Sequence, residues 1–187
     1  DKTARTGQLI GSCAEAEATN DQYWEAIETV RNGTEAYDSP RVLHYSGGLD
    51  GGAATAGSGT FIDELITTAG GTNVAAENGV EGYGELNDEA IVQWNPDVIM
   101  VPDEQGELPE TPALESTFAV ENDQVIGVNG NYLSQPAPRV VIALRTLAEA
   151  FADADIAEQE GETPTTDGTD ESADADGTDD ADSEGMT

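Results

Sequence analysis

The sequence predicts an α/β fold: a three-layer, Rossmann-like lobe on a parallel sheet, preceded by one long helix. Three observations carry this. An apolar stripe of helical period runs through residues 6–31. Between residues 41 and 151, short apolar runs alternate with helical segments. Short turn-rich connections separate them, so each helix crosses over between parallel strands and the helices cover both faces of the sheet.

Each element follows from its residues. Leu9, Cys13, Ala16, Asn20, Tyr23, Ile27 and Val30 recur at steps of four and three, the inner face of a helix about 40 Å long. Cys13 is expected on its buried side, and Asn32-Gly33 is expected to stop it, with Gly33 as a left-handed cap. Arg41 to Tyr45 reads as a strand that Pro40 introduces, and the Gly-, Ala- and Ser-rich stretch from Ser46 to Gly59 reads as a loop. Thr60 and Asp63 start a helix with Phe61, Ile62, Leu65, Ile66 and Ala69 on its apolar face, and Gly70-Gly71 ends it. Asn73 to Ala75 reads as a short strand. Asn87 caps a short helix that reaches Trp94, where Asn95-Pro96 breaks it. Asp97 to Val101 is an apolar run of the kind buried in parallel sheets, and Gln124 to Val128 is another strand. The last helix opens near Pro138, with Val140, Val141, Leu144, Leu147 and Phe151 toward the core. The domains are thus a helix over 1–33, an α/β lobe over 41–151 and an acidic Thr- and Asp-rich tail over 152–187. The tail has almost nothing apolar to offset its ordering entropy and is expected to be disordered.

Charge narrows the partners. The formal net charge is −33, from 39 acidic and 6 basic residues. Residues 152–187 hold 14 of the acids, which leaves the rest at −19. Such a surface repels nucleic acid and anionic membrane, so neither is expected as a partner. One lysine against five arginines, on so acidic a chain, suits work in concentrated salt, where screening contracts self-repulsion to about 3 Å at 1 M. A single cysteine excludes an internal disulfide. No stretch is long and apolar enough to form a membrane-spanning helix. The chain opens inside a helix, as a piece of a longer protein would.

Few residues suit catalysis. His44 is the only histidine and sits within a strand, where alternation makes it a core or sheet-facing residue rather than the base of a Ser-His-Asp site. Gly57-Ser58-Gly59-Thr60 precedes a helix as a phosphate cradle does. It lacks the lysine of a P-loop and the third glycine of a dinucleotide fingerprint, where Ile62 stands. Ser58 and Thr60 remain as hydroxyls able to touch a ligand. Without a second His or Cys, structural zinc is excluded, and no cofactor is expected. Tyr45, Tyr83, Asn131, Tyr132 and Gln135 fall near strand C-terminal ends or in the loops beyond, where open α/β sheets take ligands. Tyrosine pairs a broad apolar face with one hydroxyl, which suits a large lipophilic chelate. Glu89 lies in the first turn of its short helix, where the helix dipole alone favours a carboxylate.

Three segments together resemble the solute-binding proteins that serve cobalamin, haem and iron–siderophore importers. They are Gly59-Thr60-Phe61-Ile62-Asp63-Glu64-Leu65-Ile66 running into Ala69-Gly70-Gly71-Thr72-Asn73-Val74; Leu86-Asn87-Asp88-Glu89-Ala90-Ile91-Val92 followed by Asn95-Pro96-Asp97-Val98-Ile99; and Tyr132-Leu133 with Pro138-Arg139-Val140-Val141. The likeness is greatest to the archaeal cobalamin-binding type and covers residues 6–151. It implies two α/β lobes joined by one helix, with residues 6–31 as the helix, 41–151 as the C-terminal lobe, and an N-terminal lobe missing from this chain. It further implies no enzymatic activity, a corrinoid or ferric-chelate ligand, and an ABC-importer permease as partner. Glu89 falls where the family docks its permease. The family's ligand loops fall at Tyr45 through Thr60 and at Asn131, Tyr132 and Gln135; Asn131 replaces an acid common in cobalamin binders. Related archaeal proteins carry an acidic tail before a lipid-linked sorting segment, so residues 160–187 resemble a membrane tether at the cell surface. Two other readings stay open: a nucleotide- or sugar-modifying enzyme using the Gly57–Thr60 helix start, and a cell-surface protein without a transport role.

Overall fold

A computed structural model describes residues 2–34, 36–47, 52–103, 108–135 and 137–157. Two helices open the chain, α1 (Lys2–Ile10) and α2 (Cys13–Thr34). The lobe follows as β1 (Arg41–His44), β2 (Ser46–Gly47), β3 (Ala53–Ala56), α3 (Phe61–Thr68), β4 (Thr72–Asn73), α4 (Val74–Glu77), β5 (Tyr83–Leu86) and α5 (Asp88–Trp94). It ends with β6 (Val98–Pro102), α6 (Pro112–Glu115), α7 (Phe118–Glu121), β7 (Val125–Val128), α8 (Gly130–Leu133) and α9 (Val140–Ala152).

The main sheet has the order β4-β1-β6-β7 with every pairing parallel. Successive strand residues point to opposite faces, and two separate cores result. Val42, Val98 and Met100 pack against Ile27 and Val30 of α2, Leu65 and Ile66 of α3, and Leu144, Leu147 and Phe151 of α9. Leu43, Ile99 and Val101 pack against Val74, Ile91, Trp94 and Leu114 on the other face. The three-layer α/β expectation is met. On α9 the buried residues are Val140, Ala143, Leu144, Leu147 and Phe151; Val141 is only half-buried.

Several local expectations are corrected. The first helix is two, broken at Gly11, whose φ of 76° is a left-handed turn that glycine takes without a Cβ penalty. The N–H of Ser12 then closes on Gly7 O at 2.8 Å. The stripe of buried residues therefore begins at Ala16, while Leu9 and Cys13 are exposed. Gly33 caps nothing: α2 passes through it to Thr34, whose hydroxyl donates to Arg31 O at 2.8 Å. Ser46 to Gly59 is not all loop. β2 and β3 join β5 in a small antiparallel sheet of order β2-β3-β5, which alanines and glycines conceal because they carry little apolar patterning. At Asn73–Ala75 only Asn73 is strand; Val74 and Ala75 open α4. The body runs on past Phe151 to Ala157, because Asp97 Oδ1 accepts the Ala157 N–H at 2.9 Å. The expected acidic tail from 158 onward lies outside the described residues.

The expected caps are present. Thr60 accepts from the Asp63 N–H at 3.1 Å, and Asn87 Oδ1 from the Ala90 N–H at 2.8 Å. Asn95 ends α5 with a left-handed φ of 37°, and its side chain accepts from the Phe118 N–H at 2.9 Å. Asp97, 1% exposed, accepts the Arg41 N–H at 2.7 Å through Oδ2. The Asn95-Pro96-Asp97 turn thus anchors the start of β1, the α7 segment and the stretch that leads to Ala157 at one point.

Candidate functional site

An open cavity of about 620 Å³ lies at the C-terminal ends of β1 and β6, where parallel α/β sheets present ligands to loops. His44, the last residue of β1, and Pro102, the last of β6, contribute from the sheet; Ser46, Ile62 and Tyr83 line one side, and α8 with Asn131 and Ser134 the other. Asn129 positions α8 by accepting the Asn131 N–H at 3.1 Å, and Ser134 Oγ donates back to Gly130 O at 2.7 Å. A second cavity of about 380 Å³ shares Asn131 and is lined by Tyr132, Gln135 and Arg139.

The structure brings together four of the expected ligand residues. Tyr83 is 69% exposed and lines the larger cavity; Asn131 lines both; Tyr132 and Gln135 line the smaller. It does not bring the other three to either cavity. Tyr45 packs on the opposite face of the sheet against the second core. Burial there, and then the charge of Asp88, raise its pKa. Ser58 Oγ donates to Val80 O at 3.3 Å. Thr60 is spent on its cap and on Gly57 O at 2.8 Å. Glu89 is exposed on α5, away from both cavities.

His44 was not among the expected ligand residues. It is a buried, sheet-borne residue, as expected, and it also lines the larger cavity. The signal was there: positions 44 and 45 alternate, so one faces the α3–α9 side and the other the α4–α5 side, and Val42 decides which. Burial lowers the His44 pKa from 6.5 to about 4, so the ring is neutral. Among the described residues no group of acids, His or Cys is arranged to hold a metal ion.

An α/β lobe with an open cavity at its strand ends follows a pair of leading helices. The comparisons make the class explicit. The family model described as periplasmic binding protein matches residues 1–132, and the chain belongs to that family. It is 36% identical over 162 residues to a cobalamin-binding protein of Halobacterium salinarum, covering 81% of this chain and 43% of that one. It is 24% identical to an uncharacterised ABC transporter substrate-binding lipoprotein of Bacillus subtilis, over 77% of this chain and 48% of the relative. Among solved structures it resembles the apo periplasmic haem-binding protein RhuT of Roseiflexus sp. RS-1, with a TM-score of 0.74 and 30% identity, over 81% of this chain and 61% of that one. The chain thus spans less than half the length of these two curated relatives.

Proposed function

We propose that this chain is the C-terminal lobe of an extracytoplasmic binding protein that delivers a corrinoid or a ferric chelate to an ABC importer. The observation that carries the reading is the open cavity at the strand ends of a family lobe, fronted by Tyr83 and Asn131. A cavity of about 620 Å³ with one side open suits half of a bulky chelate, the other half resting on a second lobe. The 36% identity to a cobalamin-binding protein supports a corrinoid as the ligand. Tyr83, Asn131, Tyr132 and Gln135 are the proposed contacts, and Glu89, exposed on α5, the proposed permease contact. The acidic C-terminal segment serves as the cell-surface tether.

The enzyme reading loses its support, because Ser58 and Thr60 are engaged with backbone rather than open to a phosphate. Calorimetric titration of the two-lobed protein with cyanocobalamin, cobinamide, ferrichrome and haemin tests the proposal. Saturable binding of a corrinoid is expected. No heat with any of the four would overturn it.

A further inference from the structure

We infer that His44 reads the ligand, its Nε2–H donating a hydrogen bond to an uncharged amide carbonyl on the rim of the bound chelate. The inference rests on the chelate-binding reading above and adds the class of group recognised.

Three observations lead to it. His44 is 3% exposed yet lines the larger cavity, and its Nδ1 is buried with no hydrogen-bond partner. Buried polar atoms in proteins are nearly always paired, and an apolar side chain there would avoid the cost of an orphan. The ring is neutral, so it carries one N–H and one lone pair. With the proton on Nδ1, a donor would be buried unmet. With the proton on Nε2, only a lone pair is, and the ring's outer nitrogen becomes a donor for the cavity.

The third observation concerns charge. The sequence carries a net −33, yet among the described residues lining this cavity there is no Asp, Glu, Lys or Arg, and His44 is neutral. His44, Ser46, Asn131, Ser134 and Tyr83 offer neutral hydrogen-bonding groups, with Ile62 as apolar floor. A carboxylate brought here would find no cation among the described lining residues and would lose its water. An amide rim meets only neutral donors and acceptors. Corrinoids carry primary amides around the macrocycle, and haem carries carboxylates. Arg139 lies in the adjoining cavity and not in this one.

The test uses the two-lobed protein, with calorimetric titration of cyanocobalamin and haemin into wild type, His44→Phe and His44→Gln. Phe fills the space without a nitrogen; Gln restores an N–H. We expect His44→Phe to lose about ten- to hundredfold in cyanocobalamin affinity, as when one partner of a buried hydrogen bond is removed, and His44→Gln to recover most of it. A cyanocobalamin affinity unchanged in His44→Phe overturns the inference and leaves the chelate reading standing. Wild type that binds haemin alone overturns the amide preference. Wild type that binds neither sinks the underlying reading and the inference with it. Should His44→Phe fail to fold by circular dichroism, the wild-type imidazole ¹⁵N spectrum decides. A His44 Nε2 resonance that stays in place on adding cyanocobalamin overturns the inference; one that moves while remaining protonated supports it.

Discussion

Asn73 donates from Nδ2 to Asp63 Oδ1 at 2.9 Å, joining the strand at one edge of the main sheet to the first turn of α3. The same amide nitrogen donates to Ala56 O at 2.9 Å, and its oxygen accepts the Ala75 N–H at 3.1 Å. One buried side chain, 2% exposed, therefore clamps the main sheet, the small antiparallel sheet, α3 and α4. The Asn of the Ala-Gly-Gly-Thr-Asn segment is a structural residue.

Replacing Asn73 with leucine leaves the Ala56 carbonyl and the Ala75 N–H without partners in the interior. Each buried group left unmet costs about 1–3 kcal/mol. Asn73→Leu is expected to destabilise the lobe by about 3 kcal/mol, read as a lower urea midpoint at constant slope.

The main sheet was legible in the sequence for a plain reason. Val98 to Val101 and Val42 to Leu43 are buried on both faces, and such strands are apolar without interruption. Caps at Thr60 and Asn87 were legible because Thr and Asn there have a specific acceptor role. The small sheet was not: β3 is Ala-Ala-Thr-Ala, whose order comes from pairing with β5 rather than from pattern. The break at Gly11 was hidden because Leu9 and Cys13 continue a helical spacing that the backbone abandons. At the site, loop position pointed to Tyr83, Asn131, Tyr132 and Gln135. It could not tell His44 from Tyr45, since that choice depends on which face of the sheet each side of β1 meets.

Acid should reveal His44 in stability. Its folded pKa is about 4, below the unfolded 6.5, so the unfolded chain binds the extra proton in that window. Stability from this group is full above pH 6.5 and falls as pH drops toward 4. With the folded value at about 4, the loss approaches about 3 kcal/mol. Carboxylates titrate in the same range, so the measure is the difference between wild type and His44→Phe in urea unfolding at pH 4 and pH 7. Between pH 7 and pH 4 wild type should lose stability relative to His44→Phe; a difference independent of pH would contradict the buried neutral ring.

Salt should act on the whole surface. Residues 1–151 alone carry −19, and among the described residues Arg41 pairs with Glu77 at 3.5 Å. Self-repulsion of unpaired carboxylates opposes compactness and is screened within about 3 Å at 1 M salt. Raising KCl from about 0.1 to 2 M is expected to raise the melting temperature by about 10 °C, with sodium glutamate at equal ionic strength giving the same direction. A melting temperature flat across that range would mean that the acidic surface does not limit stability.

Glu89 offers the sharpest separation of fold from function. It is exposed in the first turn of α5, while the cap of that helix is Asn87 and the buried anchors are Ile91 and Trp94. Reversing its charge removes a small dipole contribution of about 0.3–1 kcal/mol and touches no buried contact. Ligand affinity should be unchanged too, since α5 contributes to neither cavity. A permease that recognises this carboxylate through a basic group would instead meet like charge, which slows encounter and weakens docking. Glu89→Arg is therefore expected to keep the wild-type melting curve within about 1 kcal/mol and the wild-type ligand affinity, and to cut uptake of labelled corrinoid by cells at least tenfold. Uptake equal to wild type would remove Glu89 from the transport mechanism; loss of ligand binding would place it, against the geometry, in the cleft.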